Sequence, residues 1–158
     1  MVRKLVLGVI SLVGLLALTG FVLYQTNGAP DAKALSAAEV ATSSKPFVIK
    51  MHAKWCHKCL LQKGVWSEVE EAYAGRVHLV VMDFTDDDST KATEREARRL
   101  GLGSFFDEYA GATGFVVVLN GKREVAAEVG GREFETYRAA IDAALVDRVL
   151  ASPAAPGD

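Results

Sequence analysis

Cysteine occurs only twice in these 158 residues and histidine three times, and no basic stripe offsets a formal net charge of −2. The weakly negative balance excludes an extended nucleic-acid surface, which needs clustered Lys and Arg. No internal repeat and no glycine-rich phosphate cradle is present. A four-ligand zinc site would need a second ligand pair at similar spacing, and His52, His57 and His78 supply none. Covalent haem attachment needs a histidine directly after the second cysteine, where Leu60 stands. No cysteine follows Gly20, so lipid attachment at that point is excluded.

What is present is concentrated in Trp55-Cys56-His57-Lys58-Cys59. This spacing lets two thiols close into a disulfide or open into a dithiol. A helix starting at or just after Cys56 aims its first backbone N–H groups at that sulfur, and its dipole favours a thiolate there. Cys56 is therefore the candidate nucleophile. Cys59, one turn further on, shares the face and lies deeper, as suits a resolving thiol. His57 and Lys58 stand between them, and a cation beside a thiolate favours it and makes the disulfide a better oxidant. Trp55 is expected to shield the sulfur while staying partly exposed; His52 either tunes Cys56 or is a wet strand end. Two rival readings stand beside redox chemistry. One is a structural bridge in a redox-inactive binding module. The other is a copper chaperone using Met51, His52, Cys56, His57 and Cys59, soft or imidazole ligands within nine residues. The leading reading requires no small-molecule cofactor and no resident metal.

Leu5 to Tyr24 form an uncharged, almost wholly apolar run of twenty residues behind Arg3 and Lys4, the length a helix needs to cross a bilayer with its N-terminus inside. A cleaved secretory signal ending near Ala32-Lys33-Ala34 competes with an uncleaved anchor. The run is long for a signal core, which favours the anchor. Either way the following domain is exported. The expectation is a single-pass protein of a bacterial inner membrane with its C-terminal domain in the periplasm or otherwise outside the cytoplasm. There the thiol pair depends on a dedicated membrane electron donor or acceptor. Residues 25–35 read as a tether, 36–150 as one domain and 151–158 as a disordered, Pro-containing tail.

Within the domain, Ser36-Ala37-Ala38-Glu39 is a capping box opening a short helix, and Phe47 to Met51 is a strand. Leu60, Leu61, Val65, Trp66, Val69 and Tyr73 recur at helical spacing, which predicts one helix from Cys56 to about Tyr73. Val77 to Phe84 is apolar enough to predict a central strand. Thr85 to Ser89 reads as a solvated acidic loop, lacking the Gly and distal Glu of a calcium loop. A helix from about Thr90 to Leu100 follows, with Arg95, Arg98 and Arg99 on its exposed face. Phe115–Leu119 and Glu124–Val129 flank Asn120-Gly121, whose positive backbone angles suit a tight antiparallel hairpin. Gly130-Gly131 then turns into a last helix striped by Phe134, Tyr137, Ile141, Ala144 and Leu145. Trp66, His78 and the cluster Phe105, Phe106 and Tyr109 are assigned to packing.

This order of elements resembles the thioredoxin family, over about Ser36 to Leu150 and most specifically over Phe47 to Cys59. Asn120-Gly121-Lys122 through Val129-Gly130-Gly131 is similar to that family's hairpin and final turn. The resemblance implies an α/β fold with a central mixed sheet flanked by helices. It implies disulfide exchange with protein thiol or disulfide substrates, Cys56 attacking and Cys59 resolving. Three departures stand out. Thioredoxins usually carry a cis-proline facing the cysteines, whereas Gly111-Ala112-Thr113-Gly114-Phe115 has no proline; Thr113 and Gly114 are expected there as a more open platform. Lys50 stands where many members bury an acid, and is expected to snorkel to solvent. The extra chain between Asp83 and Thr113 is expected to cap the edge of the active site. Direction stays open: tethering resembles reductases of cytochrome maturation, while His57 and Lys58 push toward oxidation or isomerisation.

Overall fold

The computed structural model describes residues 39–40 and 43–151. The expected anchor, the tether, the start of the helix at Ser36 and residues 152–158 of the tail lie outside them. Among the described residues, no helix is long and apolar enough to cross a membrane.

Among the described residues these elements follow in order from Phe47: β1 (Phe47–His52), α1 (His57–Leu61), α2 (Lys63–Tyr73), β2 (His78–Asp83), α3 (Asp87–Arg99), α4 (Gly103–Tyr109), β3 (Phe115–Leu119), β4 (Val125–Val129) and α5 (Phe134–Ala151). The strands form one mixed sheet in the order β2-β1-β3-β4, with β1 and β2 parallel and the other pairs antiparallel. The register sets Phe47 against His78 and Leu119, and Met51 against Met82 and Phe115. Strand alternation divides β1 between two cores. Phe47, Ile49 and Met51 pack with Phe84, Leu102, Phe105 and Phe106, whereas Val48 packs with Val65, Trp66, Tyr73, Tyr137 and Ile141. Each fully buried large side chain of this kind contributes roughly 1.5–3 kcal/mol.

Four expectations need correction. Among the described residues β2 lies at the edge of the sheet, not in its centre; β1 and β3 hold the middle. Its apolar run reflects cover from the flanking layers over Leu79, Val80 and Met82, and Val81 stands 47% exposed. The helix after Cys56 is two helices, broken at Gln62, a buried residue whose backbone N–H bonds back to Lys58 O. The acidic run is not a loop. Asp86 caps α3 by accepting from Ser89 N at 2.8 Å, and Asp87 and Asp88 fill the first turn, where carboxylates suit the helix dipole. In the hairpin, the positive φ belongs to Arg123 (66°), not to Asn120 or Gly121. Asn120 Oδ1 accepts from Lys122 N and Glu124 N. Gly121 is small because a Cβ there would lie 2.6 Å from the Ser44 carbonyl oxygen.

The packing assignments hold. Phe105 and Phe106 are buried, and Tyr109 stacks on Phe105 at 4.5 Å. The Tyr109 hydroxyl donates to Glu128, a bond that pushes its pKa up to about 12. His78 lies 4.7 Å from the Phe47 ring with Nε2 3.0 Å from Ser43 Oγ; burial lowers its pKa. Arg98 pairs with Glu94 and Asp107, and Arg99 with Glu96, on the wet side of α3.

Candidate functional site

The two cysteines sit where β1 delivers the chain into α1. A turn closed by Cys56 N donating to Ala53 O at 3.1 Å places Cys56 in extended backbone (φ −80°, ψ 109°) at the N-cap of α1. From there its Sγ accepts from Cys59 N at 3.2 Å. That is the bond a thiolate would gain most from, since charge-assisted acceptors form the stronger hydrogen bonds. Cys56 and Cys59 are joined as a disulfide, with Cα atoms 5.3 Å apart. Cys56 keeps 7% of its surface and Cys59 1%, so the outer sulfur is the one a partner reaches. Cys59 Sγ lies 3.6 Å from the Met51 carbonyl oxygen, where a reduced thiol has an acceptor for its proton.

Facing this pair is the loop from α4 to β3. Gly114 is buried, adopts φ +92° and donates its N–H to Met51 O at 2.9 Å. A Cβ on it would lie 2.9 Å from Lys58 Cβ and 3.3 Å from Cys56 Sγ. The expected platform is therefore in place, and its residue opposite the sulfur is bare backbone. The described residues contain no cis peptide bond. Thr113 is half-buried beside it. The chain between Asp83 and Thr113 sends α4 into the core and delivers this loop, while Thr85 holds the other flank. Thr85 Oγ1 accepts from Lys54 N at 3.0 Å, and Thr85 O accepts from Trp55 Nε1 at 3.1 Å. Trp55 is 64% exposed, in keeping with the expectation of a partly exposed ring. His57 and Lys58 are exposed on α1, and the Lys58 stem runs along Gly114.

One neighbour behaves differently from expectation. Lys50 does not snorkel. It lies in mid-strand at 7% exposure with Nζ 5.3 Å from the centre of the Trp66 ring, and Trp66 donates to Glu70 at 2.7 Å. Burial lowers its pKa, opposed by Glu70 and reinforced by Lys63. His52 ends β1 half-buried with Nδ1 unpartnered among the described residues. Burial lowers its pKa too, with Lys50 and Lys54 acting in the same direction and Asp83 against. The Met51 side chain is wholly buried in the core with Phe47 and Ile49, while His57 is exposed. Among the described residues, no three His, Cys, Asp or Glu side chains gather as metal ligands.

The residue that sequence reasoning missed is Gln62. It is buried, and its Nε2 donates to Gly114 O at 3.0 Å while its Oε1 has no partner among the described residues. The available signal was a lone polar residue inside the apolar stripe after Cys59.

The thioredoxin family model matches residues 31–97, which carry β1, the cysteine turn, α1, α2, β2 and most of α3. The fold is thioredoxin-like, an α/β arrangement with a mixed central sheet flanked by helices. Among solved structures it is similar to a DsbH oxidoreductase at 14% identity, over 75% of this chain and 84% of that one, with a TM-score of 0.49. It is similar to MTB DsbF in mixed oxidised and reduced forms at 16% identity, over 67% and 85%, with a TM-score of 0.47. A thiol:disulfide interchange protein from Chlorobium tepidum matches at 17% identity, over 69% and 84%, with a TM-score of 0.45. Comparison with curated proteins finds no match.

Proposed function

We propose that this protein is an exported, membrane-anchored thiol-disulfide oxidoreductase acting on protein substrates, with Cys56 as nucleophile and Cys59 as resolving thiol. The observation that carries the chemistry is the Cys56 sulfur itself, bonded by Cys59 N–H at a helix start and faced by a glycine. In the reducing direction the Cys56 thiolate attacks a substrate disulfide, forming a mixed disulfide and releasing one substrate thiolate. The Cys59 thiolate then attacks Cys56, closing the protein disulfide and freeing the second substrate thiolate. Two electrons leave the protein, and a membrane donor returns them. The oxidising direction is the same sequence reversed, with a membrane acceptor. Export and anchoring rest on the apolar run 5–24 alone.

The test is covalent trapping in the full-length protein. Cys59→Ala keeps the backbone N–H that supports Cys56 and removes the resolving thiol, so it accumulates a mixed disulfide with its partner; Cys56→Ala accumulates none. Equal trapping by both variants would overturn the roles. The reduction potential of the pair then assigns the direction. A value near about −270 mV marks a reductase, and one near about −120 mV marks a donor of disulfides.

A further inference from the structure

Beside the disulfide runs a groove of about 420 Å³ whose lining includes Lys58, Leu61, Gln62, Gly114, Gly131 and Arg132. Gly114, which lines it, also faces the disulfide, since a Cβ there would lie 3.3 Å from Cys56 Sγ. Its charge is one-sided: two cations line it and no Asp or Glu does. Arg76, Arg98, Arg99 and Arg138 each pair with a carboxylate, yet among the described residues neither Lys58 nor Arg132 forms an ion pair. The surrounding sequence has the same bias. No acidic residue occurs between Glu39 and Glu68, a stretch holding Lys54, Lys58 and Lys63, although the whole chain is net negative. The acidic turn Asp86–Asp88 adjoins Thr85, which bonds Lys54 and Trp55, and takes no part in the groove. The site is thus basic along the groove and acidic at its other flank.

We propose that the groove receives a cysteine-bearing segment of a protein partner that carries acidic side chains on one side of the target cysteine. The proposal rests on the oxidoreductase reading above. Lys58 and Arg132 attract the acidic side, Leu61, 47% exposed, gives it an apolar contact, and Gly114 lets the backbone pass close to Cys56 Sγ. Such charge matching acts mainly on the encounter rate and weakens as salt screens it.

The experiment uses the reduced full-length protein and short peptides with one cysteine capped as a 2-pyridyl disulfide. Cys56 thiolate attacks the peptide sulfur and expels pyridine-2-thione, whose absorbance gives the rate; Cys59 then displaces the peptide thiol as the protein disulfide closes. Peptides carry two Glu before the cysteine, two Glu after it, or Gln or Lys at the same positions. At low salt one of the two Glu arrangements is expected to react about tenfold faster than its Gln counterpart, and the matching Lys peptide more slowly than Gln. That advantage shrinks at about 1 M salt and is lost in Arg132→Glu, which sets a carboxylate against Lys58. Equal rates for all peptides would overturn the acidic preference while leaving the oxidoreductase reading intact. Failure of every peptide to react would remove that reading. Self-association of the wild type that Arg132→Glu abolishes, with no peptide preference, would assign the groove to a second copy and overturn the proposal.

Discussion

Gln62 Nε2 donates to the carbonyl oxygen of Gly114 across 3.0 Å, linking the break between α1 and α2 to the loop that faces the disulfide. The two residues are 52 positions apart, and both are buried. The bond ties the platform over Cys56 to the helix that carries the cysteines.

Gln62→Ala leaves the carbonyl of the buried Gly114 without its donor. It is expected to cost about 1–3 kcal/mol in urea denaturation and to slow exchange with capped peptides. A variant as stable as the wild type would show that the bond does not hold the platform.

Gly114→Ala meets two obstacles. The left-handed φ of +92° disfavours any Cβ, and that Cβ would lie 2.9 Å from Lys58 Cβ and 3.3 Å from Cys56 Sγ. Destabilisation of about 1–3 kcal/mol is expected, together with a loss of rate toward peptides that exceeds the loss toward a small disulfide. If both substrates slow equally, the damage is structural and the bare backbone has no role in partner access.

Lys50→Met is expected to stabilise the protein by about 1 kcal/mol at pH 7, because it removes a buried charge without a carboxylate partner. The pH dependence follows from burial, which lowers the folded-state pKa below 10.5. The unfolded chain binds the proton more tightly, so the wild type is penalised below the folded pKa and recovers as pH rises toward 10.5. The advantage of Lys50→Met should therefore narrow between neutral and about pH 10. Loss of stability at pH 7 would mean that the ammonium contact with the Trp66 ring outweighs desolvation.

Asp86→Ala removes the cap of α3 and should lower the thermal midpoint at neutral pH. Backbone bonding from Ser89 is the largest cause holding the Asp86 pKa below 3.8. The stabilisation is present above that value and fades as pH falls through the folded pKa, so wild type and variant should converge in strong acid. A constant difference across that range would assign the effect to something other than the carboxylate.

The cysteine pair was legible because its chemistry is local: a helix start three residues before Cys59 is written in the spacing. The first strand was legible from Phe47 to Met51, one residue short of its end, the strand Phe115–Leu119 over its full length, and the last helix through its stripe. Edge and centre were not, because β2 is apolar from cover by other layers rather than from neighbours on both sides. The cap at Asp86 was hidden because three aspartates in a row read as solvated chain unless the helix behind them is fixed. Gln62 and Lys50 were obscured for one reason. Polar residues in an apolar pattern look like surface until the partner, Gly114 O or the Trp66 ring, is brought there by the tertiary fold.

The hairpin turn closes against the segment before β1. Gly121 lies under the Ser44 carbonyl, and Arg123 reaches the carbonyl oxygens of Val40 and Gly101 while sitting over the Phe47 ring. The chain therefore joins the domain at one end of β1, while the sulfurs follow the other end, a strand's length of about 20 Å away. Among the described residues, the backbone that precedes β1 and the disulfide that follows it therefore occupy opposite poles of the sheet.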